Sequence, residues 1–375
     1  MNRETVSDYL LKLIRSTVRN EMPMEKPEGV SWKDLFNLAK KHQVEELAFH
    51  SIVKLNNKPE GEDYALWKSG HERNEVIDIL QGEEAKLIID ETTKRNIGIL
   101  PLKGIILKAA YPNPLFREMG DLDFLIEPGK VEAMDEVMKS LSYEPEDVGS
   151  EDSHDVYNKE PYLVVENHRR LLPPTEENHW YTDDIWNRLI SDENNPCLKT
   201  MTATDYYLYH LLHFEKHYSM GGSGIRSIVD QYYILKSFKD QIDWDFVEDT
   251  LPKMNYVEFE KMATDLAYAL FEDGEMTEEL EMSKNFIMNS GTYGTFEEYR
   301  KFEIERYRKE LGIKTKKGYF FRRMFMERER MEFIYPSLKK YGWLLPFFWV
   351  HRLFKSIFTN RGKVKQELKG FKEDK

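Results

Sequence analysis

Between Asn96 and Arg170 the apolar residues stop recurring at helical spacing and gather into short runs that end at glycine or proline. That change of period most constrains the fold, because runs of this length are strands while the flanking patterns are helices. IGILPLKG reads as a buried strand closed by Gly104, followed by a short helix, IILKAAY, and a Pro-rich loop, YPNPLFREMG. DLDFLIE reads as a second strand, ended by Pro128-Gly129, and KVEAMDEVMKSLSY as an amphipathic helix with Val131, Met134, Val137, Met138 and Leu141 on one side. YLVVENHRR, residues 162–170, reads as a third strand. Upstream, WKDLFNLAKKHQVEELAFHSIVKL repeats apolar residues at helical spacing, and a long helix is expected from about Tyr64 to Arg95. Downstream, helices are expected near 202–219, 225–238, 243–272, 276–289 and 295–311. The expectation is an α+β chain, mostly helical: a small α/β core with a mixed sheet, flanked by N- and C-terminal helical regions. Its parts would be 1–95 (helical), 96–172 (α/β core), 173–312 (helical) and 313–375 (basic, aromatic).

Charge narrows the partners. Of 375 residues, 54 are Lys or Arg and 67 are Asp or Glu, a net charge of −13. From Leu311 onward there are 17 Lys/Arg against 6 Asp/Glu, or +11, which leaves 37 against 61, or −24, on the first 310 residues. An acidic body of that size argues against nucleic acid as a partner, because phosphate contact needs clustered cations. The single cysteine, Cys197, excludes an intramolecular disulfide and a cysteine-only metal cluster. MNRETVSDYL has no apolar stretch of the kind a secretory signal needs, so a cytoplasmic location is expected.

The residues with the clearest chemistry are Asp121 and Asp123. Residues two apart on a strand project from one face. Two adjacent carboxylates repel, and a divalent cation resolves the repulsion. Mg²⁺, or Mn²⁺ in its place, commonly bridges such carboxylates to substrate phosphates. Glu166 lies in an otherwise apolar strand and is the candidate third carboxylate of a two-metal site. The bland alternative is an ordinary Asp-x-Asp on a solvated edge strand.

Five further features each admit a functional and a bland reading. Lys103-Gly104 could form a tight turn whose following amides and ammonium meet phosphate, or be a plain strand-to-helix turn. Arg117 could reach the same phosphates or pair with Glu118 or Asp121. His210, His213 and His217 fall on one helical face in DYYLYHLLHFEKHYSM, where packing against the core outweighs zinc binding, and His213 or Lys216 could line a cleft. Gly221–Gly224 precedes a helix carrying Arg226 and Asp230. A flexible loop with a surface ion pair is favoured there, against a phosphate site completed by Arg226. In the tail, WLLPFFWV is too short for a membrane span. Burial as a closing helix is favoured over weak contact with an anionic membrane surface.

Taken together, Leu102-Lys103-Gly104, Tyr111-Pro112 with Arg117, Asp121/Asp123 and Glu166-Asn167-His168 resemble the motifs of the uncharacterised nucleotidyltransferase-like family, within the polymerase-beta-type nucleotidyltransferase superfamily. The specific part of the likeness spans about 70 residues, and LAKKHQVEELAF and YPSLKKYGWLLPFFWVHRLFK also look familiar from that family. The resemblance implies metal-dependent transfer of a nucleoside monophosphate from a nucleoside triphosphate to a hydroxyl of a small-molecule or protein acceptor, with release of pyrophosphate. By that analogy Asp121, Asp123 and Glu166 are catalytic and hold the metal, with Glu166 also the base for the acceptor hydroxyl. Lys103, Gly104, Arg117, His168 and Arg226 would meet the nucleotide. The wider superfamily carries Gly-Gly or Gly-Ser at the first turn, where this chain has Lys-Gly. The runner-up is a catalytically silent nucleotide-binding or protein-interaction module on the same fold.

Overall fold

The computed structural model describes residues 5–147, 154–174, 176–292 and 294, and in the C-terminal part residues 325, 328, 331, 335 and 337–359. The chain divides into two compact units, Met1–Arg300 and Lys301–Lys375.

Four helices open the first unit: α1 (Val6–Arg19), α2 (Trp32–His42), α3 (Glu45–Ile52) and α4 (Gly61–Lys94). Their starts follow local chemistry. Thr5 and Asp8 form a reciprocal capping box on α1, and the Ser31 side chain accepts from Asp34 N on α2. The helix α4 is 34 residues long, roughly 50 Å at 1.5 Å per residue. That length lets it bury two separate patches. Near its start, Trp67 packs edge-on against Phe36 at 5.1 Å. Near its end, Ala85 and Ile88 cover the sheet.

The sheet has five strands in the order β1 (Ile99–Pro101), β2 (Leu122–Ile126), β5 (Leu163–His168), β4 (His154–Lys159), β3 (Glu144–Asp147). Strand β2 runs parallel to β5 and antiparallel to β1, and β4 is antiparallel to both its neighbours, so the sheet is mixed as expected. Two short helices lie in the crossovers, α5 (Gly104–Leu107) and α6 (Val131–Ser140). The strands β3 and β4 were not foreseen; the region between α6 and β5 reads as loop in the sequence because its alternation is broken by charged and polar residues.

One face of the sheet presents Ile99, Leu122, Phe124, Ile126 and Val165 to α4 and α6. The other presents Leu100 and Leu125 to the helices that follow. After a short turn, α7 (His179–Thr182), and a two-stranded ribbon, β6 (Ile190–Ser191) with β7 (Lys199–Thr200), these are α8 (Ala203–Ser219), α9 (Arg226–Phe238), α10 (Trp244–Met254), α11 (Val257–Phe271) and α12 (Glu278–Ser290). The single helix expected over 243–272 is two, because Asn255 takes the left-handed conformation (φ 59°) and closes α10. The helix expected over 295–311 lies outside the described residues. Full burial of a side chain such as Phe124, at 0% exposure, stabilises by about 1.5–3 kcal/mol before entropy is counted. A third apolar cluster joins α1–α3 to α9, α11 and α12, so the N-terminal helices pack on the later ones.

Among the described residues of the second unit, α13 (Ser337–Lys340) and a 3-10 turn (Gly342–Leu344) lead into α14 (Leu345–Thr359).

Candidate active site

Strand alternation assembles the carboxylates. Leu122 and Phe124 point into the apolar cluster under α4 and α6, which leaves Asp121 and Asp123 on the opposite face. In the parallel register Asp123 stands opposite Glu166, whose neighbour Val165 is likewise buried beneath the sheet. One carboxylate oxygen from each of Asp121, Asp123 and Glu166 lies within 4.8 Å of the others. The sheet thus brings together the three acids singled out in the sequence.

Their charges are unequally compensated. Asp123 is 2% exposed, yet Lys103 Nζ at 2.7 Å and His168 Nε2 at 2.8 Å share its Oδ1. Burial opposes its ionisation, but these two partners outweigh burial and hold its carboxyl well below the usual range. Glu166 is also held low: burial is offset by the hydrogen bond from His168, whose Nε2 is 3.5 Å from Glu166 Oε2. Asp121 is the opposite case. Burial and then the charge of Asp123 push its carboxyl up to about 6, against the pull of Lys103. Three hard oxygen donors, one of them short of positive charge, suit Mg²⁺ or Mn²⁺.

Lys103 rather than Gly104 carries the unusual backbone of the first turn. Lys103 has φ 44° and ψ −116°, a region costly for any residue with a Cβ. Gly104 itself has no left-handed φ; a Cβ there would lie 2.3 Å from Met119 Sδ, so the Met119 side chain would have to shift. The helix it opens spans only four residues, Gly104–Leu107, so it offers little of the dipole expected to receive phosphate. The turn is pinned by Tyr206, whose hydroxyl donates to Lys103 O at 3.2 Å.

Arg117 pairs with neither Glu118 nor Asp121 through its carboxylate-binding fork. Its Nε donates to Asp230 Oδ1 at 2.7 Å and its Nη1 to Glu118 O at 2.7 Å. Tyr111 donates to the same Asp230 oxygen at 2.5 Å. The i, i+4 pair expected between Arg226 and Asp230 is therefore absent among the described residues. Arg226 Nη1 instead donates to Gln43 Oε1 and to Glu118 O, and its buried Nε has no partner among the described residues. The glycines before α9 are explained by packing. A Cβ on Gly222 would lie 2.0 Å from Ser290 Oγ, and Ile225 N donates to His42 Nδ1, so one helix-start amide is already used.

Helix α8 roofs the carboxylates. Tyr206, Tyr209, His210 and His213 line a cavity of about 60 Å³ together with Lys103, Asp121, Asp123 and Arg226. The three histidines do not converge as a zinc site. His213 and His217 contact each other at 3.1 Å, while His210 Nε2 is buried without a partner among the described residues. Burial pushes the His210 imidazole down to about 4, so it is neutral at pH 7. His213 lines the cleft, as one of the sequence readings had it. A larger cavity, about 560 Å³, lies between α2, α4 and the 108–119 loop. Lys40, Lys41, Arg73 and Lys108 line it, and Met119 borders both cavities.

Two contributors escaped the sequence reading. His154, on unforeseen β4, stands opposite His168 with its Nε2 3.9 Å from Glu166 Oε2. With Glu166 and His168 it forms a second group able to hold a metal. The signal was the alternation of His154-Asp155-Val156-Tyr157, with Asp155 and Tyr157 buried. Tyr209 carries no sequence signal that sets it apart from its neighbours; burial raises its phenol well above the ordinary value.

The family model described as "Uncharacterised nucleotidyltransferase" matches residues 28–272, which include the N-terminal helices α2–α4, the whole sheet and α8–α11. Neither the curated proteins nor the solved structures give a significant match.

Proposed function

The chain belongs to the uncharacterised nucleotidyltransferase family, and from that premise we propose that it transfers a nucleoside monophosphate from a nucleoside triphosphate to a hydroxyl of a small-molecule or protein acceptor. The observation that carries this reading is the convergence of the Asp121, Asp123 and Glu166 oxygens within 4.8 Å. These three would hold Mg²⁺ or Mn²⁺, which when bound supplies positive charge to the phosphate oxygens. Glu166, ionised at neutral pH, takes the proton of the acceptor hydroxyl. The acceptor oxygen bonds to the α-phosphorus, the bond from that phosphorus to the bridging oxygen breaks, and the electron pair leaves on pyrophosphate. His168 orients Glu166 and Asp123, since its Nε2 lies near both. Lys103 brings a fixed ammonium to the floor of the site, and Arg226, whose buried Nε has no partner among the described residues, would meet phosphate from α9. Arg117 acts at one remove, holding the loop that carries Glu118 to Asp121 against α9. The 560 Å³ cavity has the size of a small-molecule site and would seat the acceptor.

One observation favours the silent module. The Lys103 ammonium already supplies Asp123 with the charge a cation would bring. Incubation with each of the four nucleoside triphosphates and Mg²⁺ or Mn²⁺, measuring pyrophosphate release, separates the two readings. The expected outcome is metal-dependent release with one triphosphate, abolished by Asp121→Asn/Asp123→Asn. Binding of a triphosphate without release would support the silent module.

A further inference from the structure

The C-terminal unit carries an apolar face that the catalytic reading does not use. Trp343 is 72% exposed, Phe347 66% and Val350 51%. With Pro346, also exposed, Phe347 and Val350 fall within an arc of about 100° on α14 at 100° per residue, and Trp343 stands in the 3-10 turn just before it. The opposite side of the same segment is occupied. Phe348 packs on Tyr335 at 4.5 Å and Trp349 on Phe325 at 5.4 Å, ring centre to ring centre. Among the described residues of this unit the exposure is therefore one-sided.

Charge identifies the occupant. Lys339 and Lys340 immediately precede the face, and Arg352 and Lys355 follow it in sequence. The segment from Leu311 carries 17 Lys/Arg against 6 Asp/Glu, while the preceding 310 residues carry 37 against 61. No helix among the described residues is long and apolar enough to cross a membrane. A short helix with bulky aromatic side chains on one side and lysines beside them suits the headgroup layer of a bilayer. An acidic body would be repelled by the same surface, which confines contact to the tail.

We propose that the face made by Trp343, Phe347 and Val350 inserts into the headgroup layer of an anionic membrane, with Lys339 and Lys340 against lipid phosphates. The full chain is tested by co-sedimentation with vesicles of phosphatidylcholine alone and of phosphatidylcholine mixed with phosphatidylglycerol. The chain should sediment with the anionic vesicles and not with the neutral ones. Trp343→Ser/Phe347→Ser should weaken binding by roughly tenfold or more, through lost apolar burial. Lys339→Glu/Lys340→Glu should do the same and flatten the dependence on salt. Both variants should keep the wild-type thermal transition and pyrophosphate release. No sedimentation, equal sedimentation with neutral vesicles, or undiminished binding by the serine variant would overturn the proposal. So would a chain that ignores vesicles but elutes as a dimer that Trp343→Ser/Phe347→Ser dissociates, since the face would then be a contact between copies.

Discussion

Lys103 shows how much of the site is decided by single residues. Its φ of 44° and ψ of −116° place a Cβ where only glycine is comfortable, yet the side chain is the one that pairs with Asp123. The carbonyl of Asp123 accepts from Leu102 N at 2.9 Å, and the Tyr206 hydroxyl holds Lys103 O. These contacts over-determine the turn and keep the ammonium on Asp123. Strain of this kind costs about 1–3 kcal/mol. Lys103→Gly and Lys103→Ala both remove the charge, so their difference isolates the backbone. The glycine variant should be more stable than the alanine variant by about 1–2 kcal/mol in urea unfolding; equal stabilities would mean that the turn is unstrained. Asp121, Asp123 and Glu166 were legible in the sequence because a charge in an apolar run has few bland explanations. The strained residue was not. Gly104 stands beside it, and nothing in a one-dimensional pattern says that the left-handed residue is Lys103 rather than the glycine.

At the scale of elements, local pattern gave β1, β2, β5 and most helix positions, since period and breakers are both encoded within a dozen residues. What it missed depends on distance or on weak alternation. Strands β3 and β4 are polar enough to read as loop, so His154 was lost with them. Arg117 and Asp230 are 113 residues apart in the chain, and the pair is visible only once α9 packs over the 111–120 loop. That pair is buried on both sides, with side chains 7% and 6% exposed. Removing one member of a buried pair strands the other, at about 3–5 kcal/mol. Asp230→Asn should therefore destabilise by that order and lower triphosphate affinity, because the loop leading to Asp121 loses its anchor. Arg117→Met/Asp230→Leu should recover much of the stability without the affinity. A loss in Asp230→Asn below about 1 kcal/mol by chemical denaturation would show that the pair holds nothing.

For the whole molecule, buried neutral imidazoles work against stability in acid, opposed by the raised carboxyl of Asp121. His42 is 0% exposed, and burial pushes it down to about 4 although its ring contacts Met288 O. It joins α2 to the start of α9 and to α12, accepting from Ile225 N. His210 is held at about 4 by burial as well. The unfolded chain binds these protons near the ordinary value of 6.5, whereas the folded chain resists them until about 4. At these two sites the unfolded state thus holds more protons below pH 6.5, and the stability they contribute falls as pH drops through that window. Each group accounts for about 3 kcal/mol at 1.36 kcal/mol per pKa unit. His210→Gln should flatten the slope of stability against pH between 6.5 and 4; an unchanged slope would place the acid sensitivity elsewhere. The central claim is that the whole first unit is built to bind a metal–nucleotide pair at Asp121, Asp123 and Glu166. Thermal unfolding with ATP, GTP, CTP and UTP, each with and without Mg²⁺ or Mn²⁺, tests it most directly, with Asp121→Asn/Asp123→Asn as the control. A triphosphate at about 100 times its dissociation constant adds roughly 2.7 kcal/mol. The expected result is an upward shift of several degrees with one triphosphate, only when metal is present, and lost in the variant. No shift with any of them, or a shift that survives in the variant, would contradict it.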